Sequence, residues 1–182
     1  MATNPTTAWI TGVGGTAFGR HEGQGALDLM AQAAHQALHG AGLQRADVDG
    51  LLCGYATTLP HLMLSTLFCE RFSLDPAYAH SLQLGGATGA AMLMLARELV
   101  RSGRCRHVLV VAGENRLSGQ SRDSAVQTLA QVGDPDYEVP NGASVPAYYG
   151  LMASRYLHET GTSEADLAEF AVVLEPDKPL GA

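Results

Sequence analysis

The chain has 182 residues, of which 46% are hydrophobic, 16% are charged and 21 are glycine, and this composition excludes a disordered chain and predicts one compact α/β core. The formal net charge of −7, without a basic stripe, argues against binding to nucleic acid. The polar N-terminus, the short apolar runs and three cysteines without metal-ligand spacing predict a cytoplasmic protein with no membrane span and no metal site.

Hydrophobic periodicity predicts strands that alternate with helices up to Glu114. The predicted strands are residues 8–13, 48–55, 77–84 and 107–112, and the predicted helices are residues 26–38, 62–72 and 87–101. Four strands joined through three helices form a βαβαβαβ unit, which implies a mostly parallel sheet with right-handed crossovers.

The alternation stops after Glu114. Residues 117–147 are polar, rich in Gly, Pro, Ser and Asp, and without a strong period, so we predict loops there. Helices are expected at about 146–159 and, after a cap at 162–164, up to about 173. The predicted organisation is an α/β core over 1–117, a loop or lid region over 118–174 and a tail over 175–182.

The segment Leu84-Gly85-Gly86-Ala87-Thr88 is the most informative part of the sequence. It joins the third predicted strand to a helix through a sharp turn, and such turns lie at the carboxyl edge of a parallel sheet, where ligands bind in open α/β folds. A group at this turn also lies at a helix N-terminus, which stabilises negative charge and lowers the pKa of a thiol. This placement suits acyl transfer.

The motif Gly86-Ala87-Thr88-Gly89, followed at the right distance by the apolar strand at 108–112 and by Gly113-Glu114-Asn115, resembles the thiolase superfamily. The opening segment at 10–19 and residues 47–51 fit the same family. The similarity covers about residues 8–173, and the lipid-transfer-protein-type thiolases are the branch that it resembles most. The resemblance implies a thiolase-like α/β fold, of which this chain represents the N-terminal half.

The resemblance places Gly86 where thiolases carry their nucleophilic cysteine. Because glycine offers no thiolate to hold an acyl group, ordinary thiolysis is not expected from this chain. Some members of the lipid-transfer-type branch also lack the cysteine and act as retro-aldolases on acyl-CoA, together with an OB-fold partner. We therefore expect an acyl-CoA-handling protein of the acyltransferase or retro-aldolase type, with a coenzyme A thioester as substrate and no cofactor. The alternatives are a non-catalytic acyl-CoA-binding or scaffold subunit and a truncated inactive homologue.

The substrate-binding candidates that the resemblance implies are Gly86, Ala87, Tyr149 and Met152. The segment around Tyr148 and Tyr149 aligns with a family segment that lines the acyl pocket, and only Gly150 and Ala153 keep its pattern. A tyrosine can donate a proton or polarise a carbonyl, so Tyr148 and Tyr149 are the catalytic candidates. The alternative is that both tyrosines pack between helices.

The remaining reactive residues have structural interpretations. We expect Cys53 and Cys69 to be core thiols, Cys105 to be exposed on a surface turn, and Glu114 to hold local structure. His80 is expected to face inward or an interface. A further group could meet coenzyme A phosphates or be solvated, namely Arg116, Arg122 and Arg155.

An oligomer is expected. Thiolases pair the strand that precedes the nucleophile turn across a two-fold axis, and residues 77–84 correspond to that strand. Half of a two-half fold also leaves an apolar helix face to be covered. The predicted assemblies are a homo-oligomer, or a hetero-oligomer with a second thiolase half or an OB-fold partner.

Overall fold

The computed structural model describes residues 7–142 and 144–174. The chain divides into two compact units, one up to Ala125 and the other from Val126 onward. The first unit contains the sheet, so it carries the predicted α/β core. The predicted tail at 175–182 lies outside the described residues.

A three-stranded parallel sheet forms the centre of the first unit. Its strands are β1 (Gly50–Gly54), β2 (Tyr78–Leu82) and β3 (Val108–Val111), and β1 lies between the other two in the order β2-β1-β3. All five residues of β1 are buried, as expected for a central parallel strand covered on both faces. The predicted α/β class with a mostly parallel sheet is confirmed.

Three helices cover the two faces of this sheet. Helices α1 (Ala26–Ala41) and α2 (Leu64–Phe72) pack on one face, and α3 (Thr88–Arg101) packs on the other. Because side chains alternate along a strand, Leu51 and Cys53 of β1 enter the core with α1 and α2, whereas Leu52 packs against α3. Helix α1 continues through Gly40 and ends before Gly42, whose left-handed φ of 68° caps it.

The predicted first strand, at 8–13, is wrong: these residues make no strand pairing in the described part of the chain. The segment instead lies against α1. A Cβ on Gly12 would come 2.1 Å from the Ala37 carbonyl oxygen, and one on Gly14 would come 2.1 Å from that of Ala33. Glycines therefore allow the segment to contact the helix backbone. The side chain of Trp9 is 80% exposed, which shows that the apolar pattern does not mark a buried strand here.

The predicted loop region at 117–147 contains two helices that sequence periodicity missed, α4 (Arg116–Gly119) and α5 (Arg122–Ala130). Neither helix contains a buried residue, so their sequences lack the apolar stripe from which a helix can be predicted.

The second unit contains α6 (Val145–Thr160) and α7 (Glu164–Leu174), close to their predicted positions. The predicted cap before α7 is present: Asp166 N–H donates to Ser163 Oγ, and Ser163 N–H donates to the Asp166 carboxylate. Among the described residues, no helix combines the length and the apolar character that a bilayer crossing requires.

Candidate functional site

The carboxyl ends of the three parallel strands bring three loops to one edge of the sheet. These loops follow Gly54 of β1, Leu82 of β2 and Val111 of β3. Backbone contacts already join two of them, because Tyr55 N–H donates to the Leu82 carbonyl oxygen at 3.1 Å. This is the edge at which open α/β sheets bind ligands.

The loop after β2 is a tight turn that Thr88 closes. Its hydroxyl accepts a hydrogen bond from Leu84 N–H at 2.9 Å and donates one to the Gly85 carbonyl oxygen at 2.7 Å. Thr88 is buried and starts α3, so the turn leads directly into the N-terminus of that helix. Gly85 has a φ of 56°, a left-handed conformation that glycine adopts without strain.

Gly86 is exposed at the tip of this turn, and its conformation does not require glycine. Its φ lies outside the left-handed region, and a Cβ added there would have no heavy atom within 4 Å. Gly54 at the end of β1 is different, because a Cβ there would come 2.8 Å from Ala112 Cβ. Packing thus requires glycine at 54 and backbone conformation requires it at 85, whereas neither requires it at 86. Position 86 has room for a side chain and presents none.

Glu114, three residues after the end of β3, holds the loop that follows β1. Its carboxylate accepts hydrogen bonds from Thr57 N–H at 2.5 Å, from Thr58 N–H at 3.2 Å and from the Thr58 hydroxyl at 2.9 Å. Arg116 lies 3.9 Å from the same carboxylate. With its oxygens committed in this way, Glu114 holds two loops together, which agrees with the structural role predicted for it.

Asn115 fixes the loop that precedes α1 to the same edge. Its side chain is 3% exposed, and its Nδ2 donates to the carbonyl oxygens of His21 at 3.0 Å and Gln24 at 2.7 Å. Sequence reasoning missed Asn115, Thr57, Thr58 and Thr88. Their common signal is a polar residue within a few positions of a strand's carboxyl end.

The N-terminal domain of the thiolases matches residues 8–174 of this chain. The chain belongs to the thiolase family. The family resemblance predicted from the glycine turn and the strand that follows it is therefore confirmed.

This thiolase domain is similar to proteins that are more than twice as long. It is 27% identical to an acetyl-CoA acetyltransferase of Methanocaldococcus jannaschii, a match that covers 91% of this chain and 42% of that protein. It is 32% identical to a steroid side-chain-cleaving aldolase of Thermomonospora curvata, with coverage of 95% and 45%. The solved structure of the Ltp2-ChsH2(DUF35) aldolase matches with a TM-score of 0.63 at 25% identity, over 86% of this chain and 39% of that one.

None of the three cysteines of this thiolase domain lies at the turn after β2. Cys53 is fully buried in β1, and burial raises the pKa of its thiol to about 12. Cys69 of α2 packs against the same core, and burial, followed by the nearby Asp75 carboxylate, raises its pKa. The predicted core position of Cys53 is confirmed, whereas Cys69 is partly buried and packs against the edge of the core.

The predicted exposure of Cys105 is wrong. Its side chain is 2% exposed, and its sulfur lies 3.8 Å from the Asp49 carbonyl oxygen. It fills the space beside Gly50, where a Cβ would come 2.9 Å from the sulfur. Burial, followed by the Asp49 carboxylate, raises the pKa of the Cys105 thiol. The pKa of all three thiols is therefore raised, which disfavours the thiolate form that a nucleophile requires.

The predicted sites fall in both units. Gly86 and Ala87 are exposed at the turn in the first unit. In the second unit, Tyr149 and Met152 lie three residues apart on α6 and are 67% and 66% exposed. The Tyr148 hydroxyl is buried without a hydrogen-bond partner among the described residues, close to Gly133. The roles assigned to these residues stay predictions.

Proposed function

We propose that this thiolase domain handles acyl-CoA and contributes to carbon–carbon bond cleavage of the retro-aldol type, without a covalent acyl-enzyme. The observation that carries the proposal is the open turn at Gly86, which lies at the ligand edge and at a helix N-terminus, and yet offers no nucleophile. The similarity to a protein named as a steroid side-chain-cleaving aldolase and to the Ltp2-ChsH2(DUF35) aldolase supports the same reaction type.

The chemistry of a retro-aldol step needs no thiol. A base removes the proton of a β-hydroxyl group, the bond between Cα and Cβ breaks, and its electron pair passes into the enolate of the thioester. Cα then takes up a proton, so a ketone or aldehyde and a shorter acyl-CoA leave. In the first unit, the turn at Gly86 and Ala87 would hold the thioester end. Tyr149 and Met152, in the second unit, are separate candidates for contacts with an acyl-CoA. Tyr148 and Tyr149, on α6 of the second unit, are the candidates for moving a proton that the family resemblance implies.

The remaining acid and base groups would come from a second polypeptide segment. Two surfaces of the first unit suit such assembly. β2 is an edge strand whose free side can pair with another strand, as predicted for residues 77–84. The outer side of α3 exposes Leu93 (51%) and Met94 (70%). We propose that β2 pairs with β2 of a second copy and that a second thiolase half covers α3. A monodisperse monomer in light scattering would contradict this proposed assembly.

The test uses the full chain purified together with its companion polypeptide. With a β-hydroxyacyl-CoA as substrate, we expect a carbonyl product and a shorter acyl-CoA without consumption of free coenzyme A, and no acyl adduct in the intact mass of the chain. Gly86→Leu should fill the turn and lower kcat/KM by on the order of 100-fold. The control is Gly40→Leu, which also places a side chain in open space, but on α1. It should leave kcat/KM unchanged. Turnover that requires free coenzyme A and leaves an acyl adduct would contradict the proposal.

The second candidate is an acyl-CoA-binding subunit without activity. The polar side chains at the sheet edge favour it, because Glu114 and Thr88 are committed to loop hydrogen bonds and do not act on a ligand. Calorimetric titration with acyl-CoA separates the two: binding without turnover by the assembled complex supports the subunit role. If neither binding nor turnover is detected, acyl-CoA handling by this chain is wrong.

A further inference from the structure

The two ends of β2 show in which direction its backbone groups point. Tyr78 N–H donates to the Asp49 carbonyl oxygen at 3.2 Å, and the Leu82 carbonyl oxygen accepts from Tyr55 N–H at 3.1 Å. Both hydrogen bonds belong to the parallel ladder with β1, whose register is continuous from residue 78 to residue 82. Residues 78 and 82 therefore direct their N–H and C=O groups toward β1.

The residues between these two ends supply the hydrogen-bonding groups of the free edge. Because the direction of the backbone groups alternates along a strand, His80 also faces β1, whereas Ala79 and Ser81 direct their N–H and C=O groups away from it. In the described part of the chain β2 is an edge strand, so no strand pairs with these two donors and two acceptors. All four are available to a further strand.

The residues of β2 do not protect this edge against pairing. Protected edges carry prolines, lysines, other charged side chains or bulges. None of the five residues of β2 is a proline, a lysine or an acidic residue, and the register with β1 contains no bulge. Ala79 and His80 are exposed. The edge therefore suits the addition of a strand.

Symmetry limits the register in which β2 can pair with its own copy. A two-fold axis perpendicular to the sheet places one residue of an antiparallel pair directly opposite itself. An axis at His80 sets Ala79 opposite Ser81 of the second copy, and all outward groups of both copies then join in four hydrogen bonds. With an axis at Ala79 or at Ser81, only two hydrogen bonds form between the two β2 strands. The outward groups therefore favour the axis at His80.

From this geometry we infer that β2 pairs with β2 of a second copy in the register that sets His80 opposite its own copy. The two His80 residues then form a pair without mutual hydrogen bonds, the closer of the two antiparallel pair types. Tyr78 packs in the α3 side of the core, and its ring lies 6.3 Å from the His80 ring. The two imidazoles therefore meet on the α3 side of the sheet. This inference rests on the proposed function, of which the pairing of β2 is a part, and names the residue at the axis.

Disulfide formation in the full chain, purified with any companion polypeptide, tests the register. After oxidation, His80→Cys should form a disulfide-linked dimer, because Cα atoms about 4.5 Å apart suit a disulfide. The matched controls are Ala79→Cys and Ser81→Cys. Each of these thiols would lie about 7–8 Å from its own copy and should give about tenfold less linked dimer. Wild type corrects for any linkage through the partly buried Cys69.

The possible outcomes separate the register from the pairing and from the reaction. Linked dimer from Ala79→Cys or Ser81→Cys in place of His80→Cys would move the axis and overturn the inference, but not the pairing of β2. Linkage in none of the three folded variants would overturn both. Turnover of a β-hydroxyacyl-CoA is measured separately, so failure of the proposed reaction does not change these outcomes.

Ala79→Pro gives a second readout that needs no added thiol. It removes an outward N–H group and no hydrogen bond to β1, so the sheet should still form, whereas two of the four bonds between the copies are lost. The dissociation constant of the dimer, measured by sedimentation, should rise by about tenfold or more. Ala79→Ser retains the N–H group and should leave this constant unchanged. Equal dissociation constants for the two variants would contradict the inference.

Discussion

The two edges of the sheet are each held by one carboxylate, but the glycines beside these carboxylates differ in their packing. At the amino edge, Asp49 accepts hydrogen bonds from Arg106 N–H at 2.8 Å and from His107 N–H at 2.8 Å. At the carboxyl edge, Glu114 does the same for Thr57 and Thr58. The Cys105 side chain fills the space beside Gly50 at the amino edge, whereas the space beside Gly86 is open.

The two edges also differ in their apolar surface. Among the described residues, the carboxyl-edge loops expose large hydrophobic side chains and the amino-edge loops at 42–49, 73–77 and 102–107 do not. The exposed side chains are Leu62, Met63, Leu84 and Leu117. The carboxyl edge thus carries more exposed apolar surface than the amino edge, and such surface suits a ligand or a partner. A carboxylate that accepts backbone hydrogen bonds therefore occurs at both edges. The packing around the neighbouring glycines, tight at Gly50 and open at Gly86, distinguishes them.

The largest expected difference in stability between the two edges comes from adding one methyl group to a glycine at each of them. Gly50→Ala would push a Cβ to 2.9 Å from the Cys105 sulfur and 3.0 Å from Val108 Cγ2, so we expect it to lower the free energy of unfolding by about 1–3 kcal/mol. Gly86→Ala should be neutral or stabilise by up to about 1 kcal/mol, because it only restricts the unfolded chain. Urea unfolding measures both. Equal destabilisation by the two variants would show that the turn at 86 is not open.

Removing the carboxylate at the carboxyl edge should cost slightly less. Glu114→Gln leaves one oxygen that can accept and places an NH2 group, which can only donate, opposite Thr57 N–H or Thr58 N–H. It should lower the unfolding free energy by about 1–2 kcal/mol. If the contact with the Thr58 hydroxyl carries part of this cost, Thr58→Val and Glu114→Gln should be non-additive by about 0.5 kcal/mol or more in a double-mutant cycle. Full additivity would mean that Glu114 does not act through Thr58.

The amino edge should show the smallest effect and a pH dependence. Burial opposes ionisation of Asp49, but the backbone N–H groups of Arg106 and His107 outweigh it and hold the pKa of its carboxyl below the ordinary value of 3.8. A lowered folded-state pKa stabilises the protein above the unfolded-state pKa, and this contribution is lost as the pH falls through the folded value. Asp49→Asn should therefore cost about 1 kcal/mol at pH 7 and less below about pH 4. A difference that grows with acidity would contradict this cause.

The sequence predicts the parts of the fold whose signal is local. β1 and β3 are continuous apolar runs, and α3 follows a glycine turn, so all three lie near their predicted positions. The strand predicted at 8–13 failed because Gly12 and Gly14 pack on α1, a contact that hydrophobic pattern does not encode. Helix α5 was missed because it has no buried stripe.

The candidate site divides in the same way. Gly86 lies four residues after β2 and Glu114 three residues after β3, so their position at the carboxyl edge could be predicted. The burial of Cys105 depends on Gly50 in another strand, and the position of Asn115 depends on carbonyl oxygens more than 90 residues away. Such contacts require the assembled fold. Sequence spacing therefore located the edge but not the network that holds it together.

The most direct measurement of the central claim compares two engineered thiols. Gly86 and Gly40 both have open space around a Cβ, but Gly86 lies beside the N-terminus of α3 and Gly40 lies near the C-terminus of α1. Because a helix N-terminus lowers the pKa of a thiol, the thiol of Gly86→Cys should react with iodoacetamide at neutral pH about tenfold faster than that of Gly40→Cys. The buried natural cysteines, Cys53 and Cys105, should react far more slowly than either. Equal rates for the two variants would contradict the assignment of position 86 as an open nucleophile position at the ligand edge.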